Sequence, residues 1–360
     1  MAPLSTIYST PGFPNPELNR YALSMGASPA SGVLQSAKLY QQLIERTGLP
    51  MAASADPGLL SFLLMGSHVS ITLENPHYLQ MFSVFDSAGT ASRLLPNTFA
   101  GDADSSIFLA LANQINLEAG GPVKVIVGPS DLRFEVSSFL FGATSPARMG
   151  GLTLPDLTIG QVEPIFREYL ILLAWVSSEF FQRARRAYGG QPGLPEISVS
   201  THPNGEGVNY FQQAFNELGV SARNAHNAAV PEFVFAIQGF HFRMRLPSND
   251  GWHFAMSVPF IEERRFDARS VAANLIRGVL THQFLYHCNR FNAERTGLKC
   301  GAFIDSGSVY VISAGTLPVL QRADFAKVLP SVYNLLLKKA QELFSEAGLS
   351  VASYYSRLDR

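Results

Sequence analysis

Charged side chains are scarce in this chain of 360 residues: Asp, Glu, Lys and Arg together make up 15% of it, well below the usual share. The formal net charge is −1, so no overall field attracts nucleic acid or anionic lipid. No basic stretch with interleaved aromatic residues indicates a nucleic-acid surface. The composition therefore argues against nucleic-acid binding, and it predicts a largely neutral surface that a partner partly covers.

Cysteine and long apolar runs are also in short supply. Cys288 and Cys300 are the two cysteines, too few for a disulfide scaffold, and no Asn-x-Ser/Thr glycosylation sequon occurs. The longest apolar run, Tyr169 to Val176, is far shorter than the ~20 residues that span a bilayer. These features predict a soluble cytoplasmic protein without a membrane span. Because 47% of the residues are hydrophobic, the chain has enough apolar surface to fold.

Motifs that carry chemistry are few. No His-x-x-x-His or Cys-x-x-Cys pair is present to hold a metal, and no Gly-x-Ser-x-Gly sequence is present to carry a nucleophile. Gly205-Glu206-Gly207 lacks the third glycine and the preceding strand of a dinucleotide-binding loop. We therefore predict no metal, no cofactor and no catalytic residue, and a protein that is not an enzyme.

Two features keep an enzyme as the alternative. Asp305-Ser306-Gly307 is similar to the Asp-Ser/Thr-Gly loop of aspartic proteases, but that chemistry needs two carboxylates and the sequence has no second such loop. Cys288 follows His287, yet neighbours in sequence do not face one another on a helix. A hydrolase would use Asp305 or Cys288. An exported effector, with residues 1–30 as its signal, is a further alternative.

An internal repeat organises the chain. Residues 66–73 match residues 239–246 without a gap, and Asn113-Gln114-Ile115-Asn116 matches Asn289-Arg290-Phe291-Asn292. In the same register Gly121 corresponds to Gly297, Phe134 to Tyr310 and Val136 to Ile312. The repeat predicts an irregular arm over 1–30, a first module over 31–188, a linker over 189–205 and a second module over 206–360.

Each module reads as helix, strands, helix, hairpin and helix. In the first module the predicted elements are the helix 32–46, strands 69–73 and 79–85, the helix 104–116, a hairpin of 123–127 with 132–136, and the helix 162–187, which Gly160 should keep from starting earlier. In the second they are the helix 208–218, strands 242–246 and 252–258, the helix 268–289, a hairpin of 299–304 with 308–312, and the helix 323–347. The predicted fold is α+β: two duplicated modules, each an antiparallel sheet with helices on one face.

The second module resembles a known family at Asn289-Arg290-Phe291-Asn292, Gly301-Ala302-Phe303-Ile304-Asp305 and Ser308-Val309-Tyr310-Val311. It is similar to the YbjN-like sensory-regulator domain, which shares its fold with type III secretion chaperones. The resemblance implies a non-enzymatic protein that binds a protein or peptide partner. Because such domains often pair, it also implies either a monomer whose two modules form an internal pseudo-dimer, or a homodimer.

Candidate partner-binding residues lie on a strand face and on the long helix. His68 and His241 occupy equivalent repeat positions, and Arg243 and Arg245 follow His241 on the same predicted strand face, where they suit an anionic peptide. The helix 162–187 is apolar almost all round and includes Trp175, Phe180 and Phe181. Such a helix is normally buried on most sides, so it predicts a large interface, either between the two modules or with a partner.

Overall fold

The structure, a computed structural model, describes the first half of the chain more fully than the second. The described residues are 29–73, 78–86, 102–119, 123–128, 131–139, 148–149, 152–153, 159–187, 212–213, 215–217, 219–224, 232–237, 240–245, 255–261, 285–294, 298–301, 308–313 and 342. The predicted arm lies outside these residues apart from its last two positions. The predicted linker 189–205 and Asp305 also lie outside them.

Three helices match the periodicity of the first module. They are α1 (Pro29–Thr47), α2 (Asp102–Glu118) and α3 (Ile159–Ala187). One detail of the prediction is wrong, because α3 begins at Ile159 and contains Gly160. Gly160 lies in the first turn of α3, and glycine is an accepted residue at the start of a helix. Gly48 follows α1 with a φ of 71°, the left-handed conformation that commonly ends a helix.

A six-stranded antiparallel sheet forms the first half of the fold. Its strands lie in the order β1-β2-β3-β4-β6-β5, and they are β1 (Met51–Ala52), β2 (Leu59–Leu64), β3 (Ser67–Thr72), β4 (Tyr78–Asp86), β5 (Val123–Val127) and β6 (Asp131–Phe139). A separate small hairpin joins β7 (Arg148–Met149) to β8 (Leu152–Thr153). The sequence predicted β3 to β6 but not β1 or β2.

The core of this half lies between one face of the sheet and the three helices. Buried residues come from α1 (Tyr40, Leu43, Ile44), from α2 (Phe108, Ala112, Ile115), from α3 (Val162, Phe166, Tyr169, Leu173, Val176), and from the strands (Phe62, Val69, Ile71, Met81, Val125, Phe134, Val136). On β3 the buried Val69 and Ile71 alternate with more exposed residues, which places one face of this strand against the helices. The α+β prediction, with helices packed on one face of an antiparallel sheet, is confirmed here.

A second antiparallel sheet has five strands in the order β13-β12-β11-β10-β9. The strands are β9 (Ala222–Asn224), β10 (Glu232–Ile237), β11 (Phe240–Arg245), β12 (Ala255–Ile261) and β13 (Ser308–Ser313). Helical residues 212–213 and 215–217 precede it, and Phe215 packs on Phe233 and Phe235 with ring centroids 5.5 and 4.8 Å apart. Gly219, with a φ of 66°, ends this helical segment as predicted.

A further helix, α4 (residues 285–294), precedes the buried segment 298–301. The prediction ended this helix at Asn289, whereas the structure continues it to Glu294. Of the predicted final helix 323–347, only the helical residue Glu342 lies among the described residues.

The two sheets pair their strands in corresponding registers. Thr72 lies opposite Leu59 in the first sheet, and Arg245 lies opposite Glu232 in the second. The number of residues from Leu59 to Glu232 equals the number from Thr72 to Arg245, and it is also the spacing of the sequence repeat. The last strand departs from the sequence match. Val136 shares a row with Met81, and Ser313 shares the corresponding row with Met256, so Val136 corresponds to Ser313 and not to Ile312.

Candidate functional site

The aromatic residues predicted to bind a partner on α3 belong to the core instead. Phe180 and Phe181 are buried, and Phe134 packs against both with ring centroids 5.5 Å away. Trp175 is half-buried and packs against the same core. A buried ring has no surface to offer a partner in this conformation, so a partner-binding role for Phe180 and Phe181 stays a prediction. The exposed face of α3 presents Ile171 at 51% exposure.

His68 is exposed on β3, on the sheet face opposite the core. The polar residues beside it on this face bond to one another: Ser61 Oγ lies 3.0 Å from Ser70 Oγ, and Thr72 Oγ1 donates to Gln80 Oε1 over 3.0 Å. His68 therefore does not share a site with the aromatic residues of α3, which lie on the other side of the sheet.

His241, Arg243 and Arg245 occupy alternate positions of β11, as the strand prediction required. Their register partners on β10 are Ala236, Val234 and Glu232. His241 holds the same place in its strand as His68 does in β3. The backbone thus puts all three on one face of the second sheet, in a row predicted from the sequence.

Two asparagine side chains cover the free edge of β5, the strand at one end of the first sheet. Asn116 of α2 donates to the Val125 carbonyl over 2.9 Å and accepts from the Val125 N–H over 2.8 Å. Asn289 of α4 does the same for Val127, donating over 2.8 Å and accepting over 2.9 Å. A side-chain amide has one donor and one acceptor side, so each asparagine replaces one residue of a missing neighbouring strand.

A third asparagine makes the equivalent contact within the second half. Asn292, one turn beyond Asn289 on α4, donates to the Cys300 carbonyl over 2.8 Å and accepts from the Cys300 N–H over 2.7 Å. Gly301 follows, and a side chain there would collide with Leu117 of α2, 2.7 Å from where its Cβ would stand. Glycine therefore permits the two halves to approach at this point.

Two buried lysines each contact a backbone carbonyl of the other half. Lys124 Nζ lies 3.4 Å from the Asn292 carbonyl near the end of α4, and Lys299 Nζ donates to the Ala119 carbonyl just beyond the end of α2. A cation is favourable at the C-terminal end of a helix, where carbonyl groups lack intrahelical partners. We call this meeting place the seam; it consists of Ala119, Lys124 and Val127 on one side and Asn289, Asn292 and Lys299 on the other.

A buried ionic cluster adjoins the seam on the first sheet. Glu135 Oε1 forms an ion pair with Lys124 Nζ 3.1 Å away, and Glu135 Oε2 accepts from Arg133 Nη2 over 2.5 Å. The Arg133 guanidinium lies 4.6 Å from the centre of the Phe82 ring. Burial alone would raise the pKa of Glu135, but the charges of Arg133 and Lys124 outweigh it and hold this pKa at about 2. The carboxyl group is therefore ionised at neutral pH.

The two cysteines meet beside the seam. Cys288 of α4 and Cys300 are both buried, and their Sγ atoms lie 3.1 Å apart. Burial, followed by the hydrogen bond with Cys288 and its charge, raises the pKa of the Cys300 thiol well above its ordinary value.

The opposite edge of the first sheet carries exposed apolar side chains. β1 pairs Met51 and Ala52 with β2, and the chain on either side of β1 also contacts β2: the Leu63 N–H donates to the Pro50 carbonyl over 3.0 Å, and the Leu59 N–H donates to the Asp56 carbonyl over 3.1 Å. The sheet therefore ends at the two-residue strand β1. Met51 is 45% exposed and Met65, in the two-residue turn after β2, is 77% exposed. Met65 has a φ of 50°, a conformation that is uncommon outside glycine. We call this end of the sheet, formed by the terminal strand β1 with Met51, the half-buried Leu63 and Met65, the β2 edge.

Within the described ranges, no cluster of three or more His, Cys, Asp or Glu side chains is arranged to hold a metal ion. No helix in the described part of the chain combines the length and apolar character needed to cross a membrane.

Comparison of the chain with protein-family models, with curated proteins and with solved structures found no significant match. The resemblance to YbjN-like domains and secretion chaperones therefore stays a prediction. The seam was not predicted, although its signal was present: the Asn-x-x-Asn match was recognised as a repeat, without a role for its asparagines.

Proposed function

We propose that the chain is a tandem duplication packed as an internal pseudo-dimer, and that it is a non-enzymatic adaptor, similar to a secretion chaperone, which binds an extended polypeptide segment. The observation that carries the binding proposal is the β2 edge, where the sheet ends in the two-residue strand β1 beside exposed methionines. The seam supports the pseudo-dimer.

Corresponding strand registers support the duplication. The sheets share the order of their first four strands, and both begin with a very short strand, β1 or β9. β1 places Met51 opposite Phe62, and β9 places Ala222 opposite Phe235, which occupies the matching repeat position. Unrelated sheets have no reason to agree in both order and register.

Reciprocal contacts at the seam support the pseudo-dimer. Lys124 of the first half contacts a terminal carbonyl of α4, and Lys299 of the second half contacts the carbonyl at the end of α2. Each lysine directly precedes a residue whose backbone is held by the asparagine of its own half, Asn116 or Asn292. Such exchange of equivalent contacts is the pattern of a two-fold interface between identical subunits.

Strand addition is the binding mode that the β2 edge favours. An extended peptide satisfies unpaired backbone groups of an edge strand, while its alternate side chains contact neighbouring residues. Methionine suits the second task because its flexible, polarisable side chain adapts to varied partners. A hairpin turn with positive φ normally takes Asn or Gly, so an exposed methionine at this position is unfavourable for folding alone. Partner binding accounts for an exposed methionine at this position, whereas folding alone does not.

A peptide array tests the proposal. Extended peptides with alternating apolar residues should bind the wild-type protein, and Met65→Glu should lose at least tenfold in affinity. Ile171→Glu, which changes an exposed apolar residue on α3, should bind as the wild type does. A bound peptide methylated on alternate backbone nitrogens should lose binding, because it cannot donate to the terminal strand β1. Binding that tolerates this methylation would contradict strand addition.

A further inference from the structure

We propose that Cys288 and Cys300 are an oxidation site: hydrogen peroxide converts the pair to an intramolecular disulfide, which clamps α4 to residues 298–301. The proposal does not depend on the adaptor function, since both residues lie in the second half of the chain.

The two sulfur atoms are already in contact. Cys288 Sγ and Cys300 Sγ are 3.1 Å apart, so a bond between them needs only a small approach. Asn292 fixes this arrangement, because it lies one turn after Cys288 on α4 and holds the backbone N–H and carbonyl of Cys300. The same side chain thus orients both the helix and the segment that carry the thiols.

The enclosure of the pair selects a small oxidant. Both cysteines are buried and Cys300 is fully enclosed, so a peptide disulfide such as oxidised glutathione has no room to reach the sulfur atoms. Hydrogen peroxide is small enough to enter during local opening. Cys288 is slightly less enclosed than Cys300, which makes Cys288 the thiol that reacts first.

The chemistry balances with peroxide as the sole oxidant. The Cys288 sulfur attacks one peroxide oxygen, the O–O bond breaks, and a sulfenic acid and water form. The Cys300 sulfur then attacks the sulfenic sulfur, the S–O bond breaks, and a second water leaves as the S–S bond forms. Two thiols lose two electrons and two hydrogens, and one peroxide becomes two waters.

The position of Cys288 and Cys300 beside the seam determines what a disulfide between them does to the fold. Asn289 follows Cys288 directly, and Lys299 precedes Cys300 directly. These two neighbours supply contacts from the second half to Val127 and Ala119 of the first. A disulfide therefore fixes, relative to each other, the two segments that make the seam, and we expect oxidation to strengthen the seam.

Thiol mapping on the full-length reduced protein tests the site. The protein is treated with hydrogen peroxide under native conditions, unreacted thiols are alkylated in denaturant, and the digest is examined by mass spectrometry. The expected result is a peptide linking Cys288 to Cys300 in monomeric protein. The sequence has two cysteines, so an intramolecular disulfide can join only this pair. Full alkylation of both thiols, or oxidation to sulfinic acid without a crosslink, would overturn the proposal.

Thermal unfolding tests the clamp. We expect Tm to rise by about 5 °C after oxidation, since the crosslink restricts the unfolded chain, and to return with dithiothreitol. Cys300→Ser should trap the sulfenic acid of Cys288 and show no such rise. If that variant fails to fold, the change in the Tm of the wild-type protein on oxidation and on reduction still tests the clamp. A crosslinked protein whose Tm does not change would refute the clamp.

Discussion

The two edges of the first sheet are finished in opposite ways. At β5, amide side chains of Asn116 and Asn289 occupy the outer backbone groups of Val125 and Val127. At β2, the neighbouring strand β1 spans two residues and exposed methionines stand beside it. An uncovered edge invites pairing with another chain. The fold closes one edge against its own second half, and we propose that a partner pairs at the other.

The largest effect should come from breaking the ionic cluster beside the closed edge. Lys124→Met keeps the apolar stem but leaves the buried Glu135 with one cation fewer, so we expect a loss of about 3 kcal/mol in the free energy of unfolding. Urea unfolding measures it. Lys38→Met, an exposed substitution on α1, is the control and should change little. Equal effects of the two substitutions would show that the cluster does not support the seam.

Acid should weaken the closed edge next. The folded pKa of Glu135, about 2, lies below its ordinary value of 4.5, so its ionisation stabilises the fold fully above pH 4.5. This contribution, on the order of 3 kcal/mol, is lost as the pH falls from 4.5 to about 2. The stability difference between wild type and Glu135→Gln should therefore shrink over this range. Glu217→Gln, which is exposed, should show no such convergence. A constant difference would contradict the assignment.

Removing a single amide should have a smaller effect, and it compares the two edges directly. Asn289→Ala uncovers the Val127 N–H and carbonyl, so we expect a loss of about 1–3 kcal/mol and concentration-dependent self-association through β5. Met65→Gly at the open edge should change stability by less than about 1 kcal/mol, because glycine accepts the positive φ there. Urea unfolding and light scattering measure both. If the two variants behaved alike, the contrast between the edges would fail.

Periodicity predicted the elements whose two faces differ. β3 alternates Val69 and Ile71 with His68 and Ser70, and the structure places a strand there. β2 and β10 were missed because their sequences, Leu-Leu-Ser-Phe-Leu-Leu and Glu-Phe-Val-Phe-Ala-Ile, carry apolar residues on both faces. Such runs show no period, and only their neighbours in the sheet determine that they are strands.

The site was harder to predict because its contacts join distant parts of the chain. The Asn-x-x-Asn match located Asn289, but its partner Val127 lies 162 residues earlier. Phe180 and Phe181 show a related difficulty. A helix that is apolar on most sides fits a core and an interface equally well, and only the position of Phe134 and Phe85 beside them decides for the core.

The separation of Asn289 from Val127 has a consequence for synthesis. β5 leaves the ribosome 162 residues before the asparagine that covers Val127. At usual elongation rates this interval lasts about 10–30 s. During that time a nascent first half, even if its own α2 has docked, presents part of β5 uncovered. Pausing early in the second half would prolong this interval, and completion of α4 would end it.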